Sequence, residues 1–222
     1  MQKIKALLLV AAVVLLAGCA TSRSVIDVPS SVPQNVHTAT TVNGKSVYID
    51  IVRDSRSFQV NPPSPNIPSL DPSEASSDAI KLRAIGRKRN SYGKALGDIL
   101  LKDGITVESL VSSAIRRAFA ENGYRILDNS SQITPNVYVV DADIDQFWTW
   151  MNPGFWAITL SAEISTNLSI KEGAKKQQLV VQSKSSGSFQ VGTESNYLKV
   201  ITDALDLYVE ELKRKLKSLT ID

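Results

Sequence analysis

The chain has 222 residues, of which 43% are hydrophobic and 21% are charged, with 25 Lys and Arg residues against 22 Asp and Glu residues. This balance is that of an ordinary globular protein, and it excludes both a polytopic membrane protein and a wholly disordered chain. The single cysteine and single histidine exclude a disulfide framework, a Cys/His zinc site and a Cys-His or Ser-His catalytic pair.

The N-terminal segment has the pattern of a bacterial lipoprotein signal peptide, predicted over residues 1–18. Lys3 and Lys5 precede an apolar run from Ala6 to Ala17, which is too short to span a bilayer as a helix. The run ends in a lipobox, whose recognition residues for the lipoprotein signal peptidase are Leu16, Ala17 and Gly18, followed by Cys19.

Cleavage before Cys19 predicts an acylated N-terminus that carries diacylglycerol. Each buried methylene contributes about 0.8 kcal/mol, so two or three acyl chains anchor a protein permanently. The alternative is an ordinary cleaved signal followed by a chance cysteine. Ala20 stands where an aspartate would retain a lipoprotein at the inner membrane, so the predicted location is the periplasmic leaflet of the outer membrane.

Charge gives no reason to expect a nucleic-acid partner. Loss of Lys3 and Lys5 with the signal segment leaves nearly equal numbers of basic and acidic side chains in the mature chain. An exported protein would also not meet nucleic acid.

The mature chain is predicted to contain a tether and one domain. Residues 19–45 comprise the acylated cysteine and a flexible Ser-, Thr- and Pro-containing tether, and residues 46–222 form a single periplasmic α+β domain. Five prolines within residues 61–77 predict a long loop inside that domain, because proline interrupts both helices and sheet ladders.

Apolar periodicity predicts two amphipathic helices. The first runs from an N-cap at Thr106 to Gly123, and the second covers about Asn196 to Ser218. Each has one apolar face and one charged face.

Alternation of apolar and polar residues predicts four strands. One lies around Val47 to Ile51, and three more follow the first helix as a meander over residues 138–150, 156–170 and 179–191. Small residues weaken the last strand and indicate a bulge or a sheet edge. The predicted fold is therefore α+β, a mostly antiparallel sheet in the order strand, helix, three-strand meander, helix, with two helices packed on one face.

A candidate partner-binding hairpin contains all three tryptophans. Asn152-Pro153-Gly154 predicts its turn, and parity along the strands places Trp148, Trp150 and Trp156 on the core side and Phe147 and Phe155 on the other. The two interpretations are packing of these rings against a helix and an exposed aromatic tip that anchors a partner or a membrane.

Two charged clusters are weaker candidates. Arg87, Lys88 and Arg89 form a candidate loop for anionic lipid or glycan ligands, or else a solvated basic loop. Asp141, Asp143 and Asp145 share one strand face and are interpreted as a solvated face rather than a metal site, since the calcium-loop pattern is absent.

The chain resembles the YajG-like family of bacterial lipoproteins. The resemblance rests on the lipobox at Cys19, an early strand followed by Asp54-Ser55-Arg56, the segment Ile85 to Gly93, and a helix that ends in Glu121-Asn122-Gly123-Tyr124. It implies an envelope lipoprotein and, more distantly, a likeness to the auxiliary lipoproteins of envelope transporters. It supplies no catalytic residues, cofactor or metal.

We therefore expect a non-enzymatic, lipid-anchored accessory protein that binds an envelope protein during assembly or transport. The alternative is a periplasmic carrier or sensor of lipid or glycan ligands. The expected partners are the membrane, through the acyl chains, an envelope protein and a second copy of the chain, with no cofactor.

Overall fold

The computed structural model describes residues 23–30, 44–90 and 92–219. The predicted signal segment 1–18, the acylation site Cys19 and residues 31–43 of the predicted tether lie outside the described residues.

The described residues form eight strands and three helices. The strands are β1 Ser24–Ile26, β2 Ser46–Asp54, β3 Ala84–Arg89, β4 Ala95–Leu101, β5 Arg125–Leu127, β6 Val137–Asn152, β7 Ile158–Glu172 and β8 Lys175–Phe189. The helices are α1 Asp78–Lys81, α2 Val107–Glu121 and α3 Glu194–Lys217, with a short 3₁₀ turn at Ser130–Gln132.

All eight strands belong to one mixed sheet organised around the long strand β6. On one side β6 pairs with β7, and β7 pairs with β8, both antiparallel. On the other side β6 pairs in parallel with β2 along its first half and with β3 near its end. β5 extends β2 in parallel, whereas β4 pairs antiparallel with β3 and parallel with β1.

The predicted sheet is therefore wrong. We predicted a mostly antiparallel sheet with two helices on one face. The structure has a mixed sheet, in which four of the strand pairs are parallel, and three helices. Part of the predicted tether is also ordered in this sheet. Ser24–Ile26 forms β1 beside β4, and Ile26 and Val28 are buried in the main core.

Helix α2 begins after its predicted cap at Thr106 and ends before Gly123, whereas α3 begins two residues before its predicted start at Asn196. Thr106 accepts a hydrogen bond from the Ser109 amide, and Ser109 Oγ accepts one from the Thr106 amide, which closes a capping box at the start of α2. Gly123 follows α2 with φ of 81°, a conformation that glycine adopts without strain. The apolar faces of α2 and α3 join the main core with the strands.

The proline-rich segment covers the other face of the sheet. Trp148 and Trp150 form a second core there with Leu70, Ala84 and Leu100. Trp148 Nε1 donates to the Pro65 carbonyl at 3.1 Å, which fixes the segment on the indole. The predicted long loop therefore packs over the second core, and the short helix α1 follows it.

Candidate functional site

The β6–β7 hairpin ends in an exposed aromatic pair. Phe155 is 90% exposed and Trp156 is 84% exposed, and their rings contact each other edge to face at 4.7 Å between centroids. Gly154 makes the turn possible, because a Cβ there would lie 2.3 Å from the Ala157 carbonyl oxygen. The predicted exposed tip therefore consists of Phe155 and Trp156.

The other three residues of the candidate hairpin are buried. Phe147 packs in the main core, while Trp148 and Trp150 pack on the opposite face of the sheet. A register shift between Ile144 and Gln146 is the cause, because the extra residue in β6 exchanges the two faces beyond it. The parity that placed all three tryptophans on one core face and Phe147 on the other was thus wrong.

The predicted basic loop is a strand, in which Arg87 and Arg89 make contacts within the domain. Arg87, Lys88 and Arg89 belong to β3. Arg87 lies 3.4 Å from Asp98 and 3.5 Å from Asp71, so its charge is engaged within the domain.

Arg89 lies between two open hollows. One, of about 350 Å³, lies against Ser69 and Leu70, and the other, of about 330 Å³, lies against Met151 and Asn152. Arg89 donates to the Gly93 carbonyl and to Ser69 Oγ, and burial, with the nearby charge of Arg87, lowers its pKa. Arg87 also lines the first hollow, and Arg89 is the one of the three predicted basic residues that lines both.

Asp98 is a buried acid that the sequence analysis missed. It lies in β4 and is 3% exposed, with Oδ2 accepting from the Asp71 amide at 3.2 Å. Burial raises the pKa of its carboxyl, and the positive charge of Arg87 opposes this shift. The available signal was a single charge within the apolar run Ala95–Leu101.

The acidic face of β6 has partners from its neighbours. Asp141 receives Lys171 Nζ at 2.8 Å, Arg53 Nε lies 3.5 Å from Asp143, and Asn167 donates to Asp145 at 2.6 Å. Burial raises the pKa of Asp145, with a further contribution from the charge of Asp143. Within residues 23–30, 44–90 and 92–219, no three acidic, histidine or cysteine side chains are arranged to hold a metal.

The last strand is a long open edge, as its small residues predicted. β8 pairs with β7 over Lys175–Phe189, and no other described strand pairs with it. α3 covers one face of β8, where Val181, Ser183 and Ser185 are buried. Val180 lies on the opposite face and is 50% exposed.

Between Lys176 and Lys184 the edge carries no charge. Natural edge strands are usually protected by charges, proline or bulges, so a long uncharged edge is suited to accept another strand.

No described helix is both long enough and apolar enough to cross a bilayer.

Comparison with known proteins identifies no family for the chain. No family model matches the sequence, and no curated protein matches it. The chain has weak structural likeness to an uncharacterised protein, with 8% identity, a TM-score of 0.48 and coverage of 88% of this chain and 99% of that one.

A DUF330 protein from Xanthomonas campestris gives 12% identity and a TM-score of 0.47 over 88% of this chain and 95% of that one. Lipoprotein GNA1162 from Neisseria meningitidis gives 10% identity and a TM-score of 0.24 over 79% of this chain and 99% of that one. At these values the likenesses assign neither a family nor an activity, and membership of the YajG-like family stays a prediction.

Proposed function

We propose that this chain is a lipid-anchored, non-enzymatic protein of the bacterial envelope that binds a partner protein by accepting an extended segment at the edge strand β8. The lipobox before Cys19 supports the anchoring part of the proposal. Ala20 supports placement in the outer membrane, which fractionation of the envelope on a density gradient tests.

The open edge of β8 carries the binding part of the proposal. The strand is fifteen residues long and is paired on one side in the described structure. Its free backbone amides and carbonyls can form a ladder with any extended peptide, while side chains on alternate positions select the sequence. Glutamine, serine and valine in the uncharged stretch 177–183 allow close approach of a second strand.

Photo-crosslinking from single positions of the lipidated protein in cells tests this proposal. A photoreactive phenylalanine derivative replaces Val180 on β8 or, as a matched control, Leu207 on α3, since the two side chains are 50% and 48% exposed. We expect a specific envelope protein to be crosslinked from position 180 and not from position 207. Equal crosslinking from both positions, or none from 180, would contradict edge recognition, and capture of a second copy would indicate self-association instead.

A second candidate function is binding of an anionic lipid or glycan headgroup beside Arg89. The observation that favours it is that Arg89 lines both hollows between the proline-rich segment and the β3–β4 hairpin. Binding of phosphatidylglycerol that weakens with salt and is lost in Arg89→Gln would support this function. Binding that is unaffected by this substitution would exclude it.

A further inference from the structure

We propose that the end of the sheet that carries Tyr92, Phe155 and Trp156 rests on the lipid bilayer, with these three side chains in the headgroup region. This inference rests on the acylation of Cys19 in the proposed function. It concerns a surface at the opposite end of the strands from the β7–β8 turn and separate from the edge that binds the partner.

The start of β1 lies level with Thr149 of β6, because paired residues form one row across the sheet. Ser24 pairs with Ile99, Ile99 with Gly86, and Gly86 with Thr149 of β6. β1 is antiparallel to β3, so the chain that leads into Ser24 comes from the end of the sheet where β3 and β6 finish. An ion pair between Arg23 and Glu74 fixes the chain at this point.

The distance from this row to each end of the sheet decides which end can face the membrane. At about 3.3 Å per residue, the end of β6 at Asn152 is about 10 Å from Thr149, whereas its start at Val137 is about 40 Å away. Cys19 stands five residues before Ser24, and even a fully extended chain of that length spans at most about 18 Å. The acylated residue can therefore reach the level of Asn152 but not that of Val137.

The end of the sheet at Asn152, here called the near end, also presents the most exposed large hydrophobic side chains of the described structure. Tyr92, in the turn between β3 and β4, is 94% exposed, and Phe155 and Trp156 form the tip after β6. Val191, after β8, is 60% exposed at the same end. Tyrosine and tryptophan are favoured at membrane interfaces, because the ring is apolar and its polar atom reaches water or a headgroup.

Charge at the near end suits an anionic lipid surface. Lys94 is exposed beside Tyr92, and neither Lys88 nor Lys94 has an ion-pair partner in the part of the chain that the structure describes. Glu194, at the start of α3, is an opposing carboxylate at this end. An anionic leaflet attracts basic groups, so the aromatic contacts and the lysines favour the same orientation.

A fluorescent label at each end of the sheet tests this orientation. Cys19 is the only cysteine of the chain, so in the acylated protein Tyr92→Cys provides a single free thiol at the near end. Ile133→Cys, at a 39% exposed position beside the start of β6, is the control at the far end. Each variant is labelled with a polarity-sensitive dye and reconstituted in vesicles of phosphatidylethanolamine and phosphatidylglycerol.

We expect the label at position 92 to emit at shorter wavelength in vesicles than in detergent-free buffer, and the label at position 133 to keep its aqueous emission. Adding Phe155→Ser and Trp156→Ser should return the label at position 92 toward aqueous emission. The near-ultraviolet circular dichroism of the buried Trp148 and Trp150 should stay unchanged, which shows that this variant is folded.

Aqueous emission from both labels, or a shift at position 133 instead, would overturn the orientation. A shift at position 92 in native membranes but not in pure lipid vesicles would also overturn it, because a protein would then cover the tip. Mass spectrometry of the N-terminal peptide separates the two proposals. An acylated Cys19 with a water-exposed tip contradicts the orientation alone, whereas an unmodified Cys19 contradicts the anchoring as well.

Discussion

Arg56 and Asp54 form a buried ion pair at the junction of the two cores, with Arg56 Nη2 2.7 Å from Asp54 Oδ2. The Arg56 side chain is fully buried, and its remaining donors bind the carbonyl oxygens of Lys81, Ala84 and Phe147. One side chain thus connects the end of β2 with α1, β3 and β6. The segment Asp54-Ser55-Arg56 therefore has a structural role.

Arg56→Leu should lower the free energy of unfolding by about 3–5 kcal/mol, because it leaves the Asp54 carboxylate buried and three carbonyl groups without their donor. Urea denaturation measures the change. Lys102→Ala, which removes an exposed partner of Asp27, is the control and should cost less than about 1 kcal/mol. A loss of similar size in both variants would show that the buried pair has no special role.

Gly86→Ala should destabilise the junction of β3 and β6 by about 1–3 kcal/mol. A Cβ at this position would lie 2.5 Å from Thr149 Cγ2 and 2.8 Å from the Thr149 carbonyl oxygen. Thr149→Ser removes the first clash but not the second, so the double variant should regain part of the loss in thermal denaturation. Gly192→Ala, whose added Cβ meets no atom closer than 3.4 Å, is the matched control, and an equal loss there would contradict the account.

Asp98 should make the protein less stable as the pH rises. Because burial raises the pKa of its carboxyl in the folded chain, the folded chain keeps this proton to higher pH than the unfolded chain. The free energy of unfolding should therefore fall as the pH rises from the ordinary pKa range of a carboxyl group to above the raised pKa of Asp98.

Asp98→Asn should remove this part of the pH dependence, so that its stability relative to the unsubstituted protein improves from acid to neutral pH. Urea denaturation across this range measures the difference. Asp78→Asn, at a side chain that is 90% exposed, controls for the loss of a surface charge. The same pH profile of stability in the unsubstituted protein and in Asp98→Asn would show that burial does not raise the pKa of this carboxyl group.

The aromatic residues of the hairpin should separate into two classes in stability measurements. Phe155→Ser with Trp156→Ser should change the free energy of unfolding by no more than about 0.5 kcal/mol, because both rings are exposed. Trp148→Ala should cost about 3–5 kcal/mol, since it empties the second core beneath the proline-rich segment. Equal costs in urea denaturation would contradict the separation, and only the tip variant is suitable for binding studies.

Local patterns predicted the elements whose signal lies within one segment. The spacing of apolar residues along α2 and α3, the cap at Thr106 and the alternation in the meander were sufficient because each depends on near neighbours. β1 has only three residues, which is too few for a periodic pattern, and its strand pairing depends on the distant β4.

The faces of the hairpin could not be assigned because one additional residue in β6 near Asp145 reverses them. Nothing in the alternation of Asp141, Asp143 and Asp145 indicates where that residue is inserted. The parallel pairing of β2 with β6 joins segments that are far apart in sequence and are connected through α2, which packs on β2. Periodicity within one segment does not specify such a pairing. For the same reasons, the sequence indicated the edge strand and the aromatic tip but misplaced four of the five hairpin residues.

The most direct test of the central claim is a crosslinked pull-down of the lipidated protein from envelope membranes, with Cys19→Ser as the unanchored control and mass spectrometry as the readout. The account predicts stoichiometric recovery of one envelope protein with the anchored chain, and loss of that protein when Val180→Lys places a charge in the centre of the β8 edge. Recovery of the bait alone, or of the same partner regardless of the charge at position 180, would contradict a lipid-anchored protein that binds its partner at this edge.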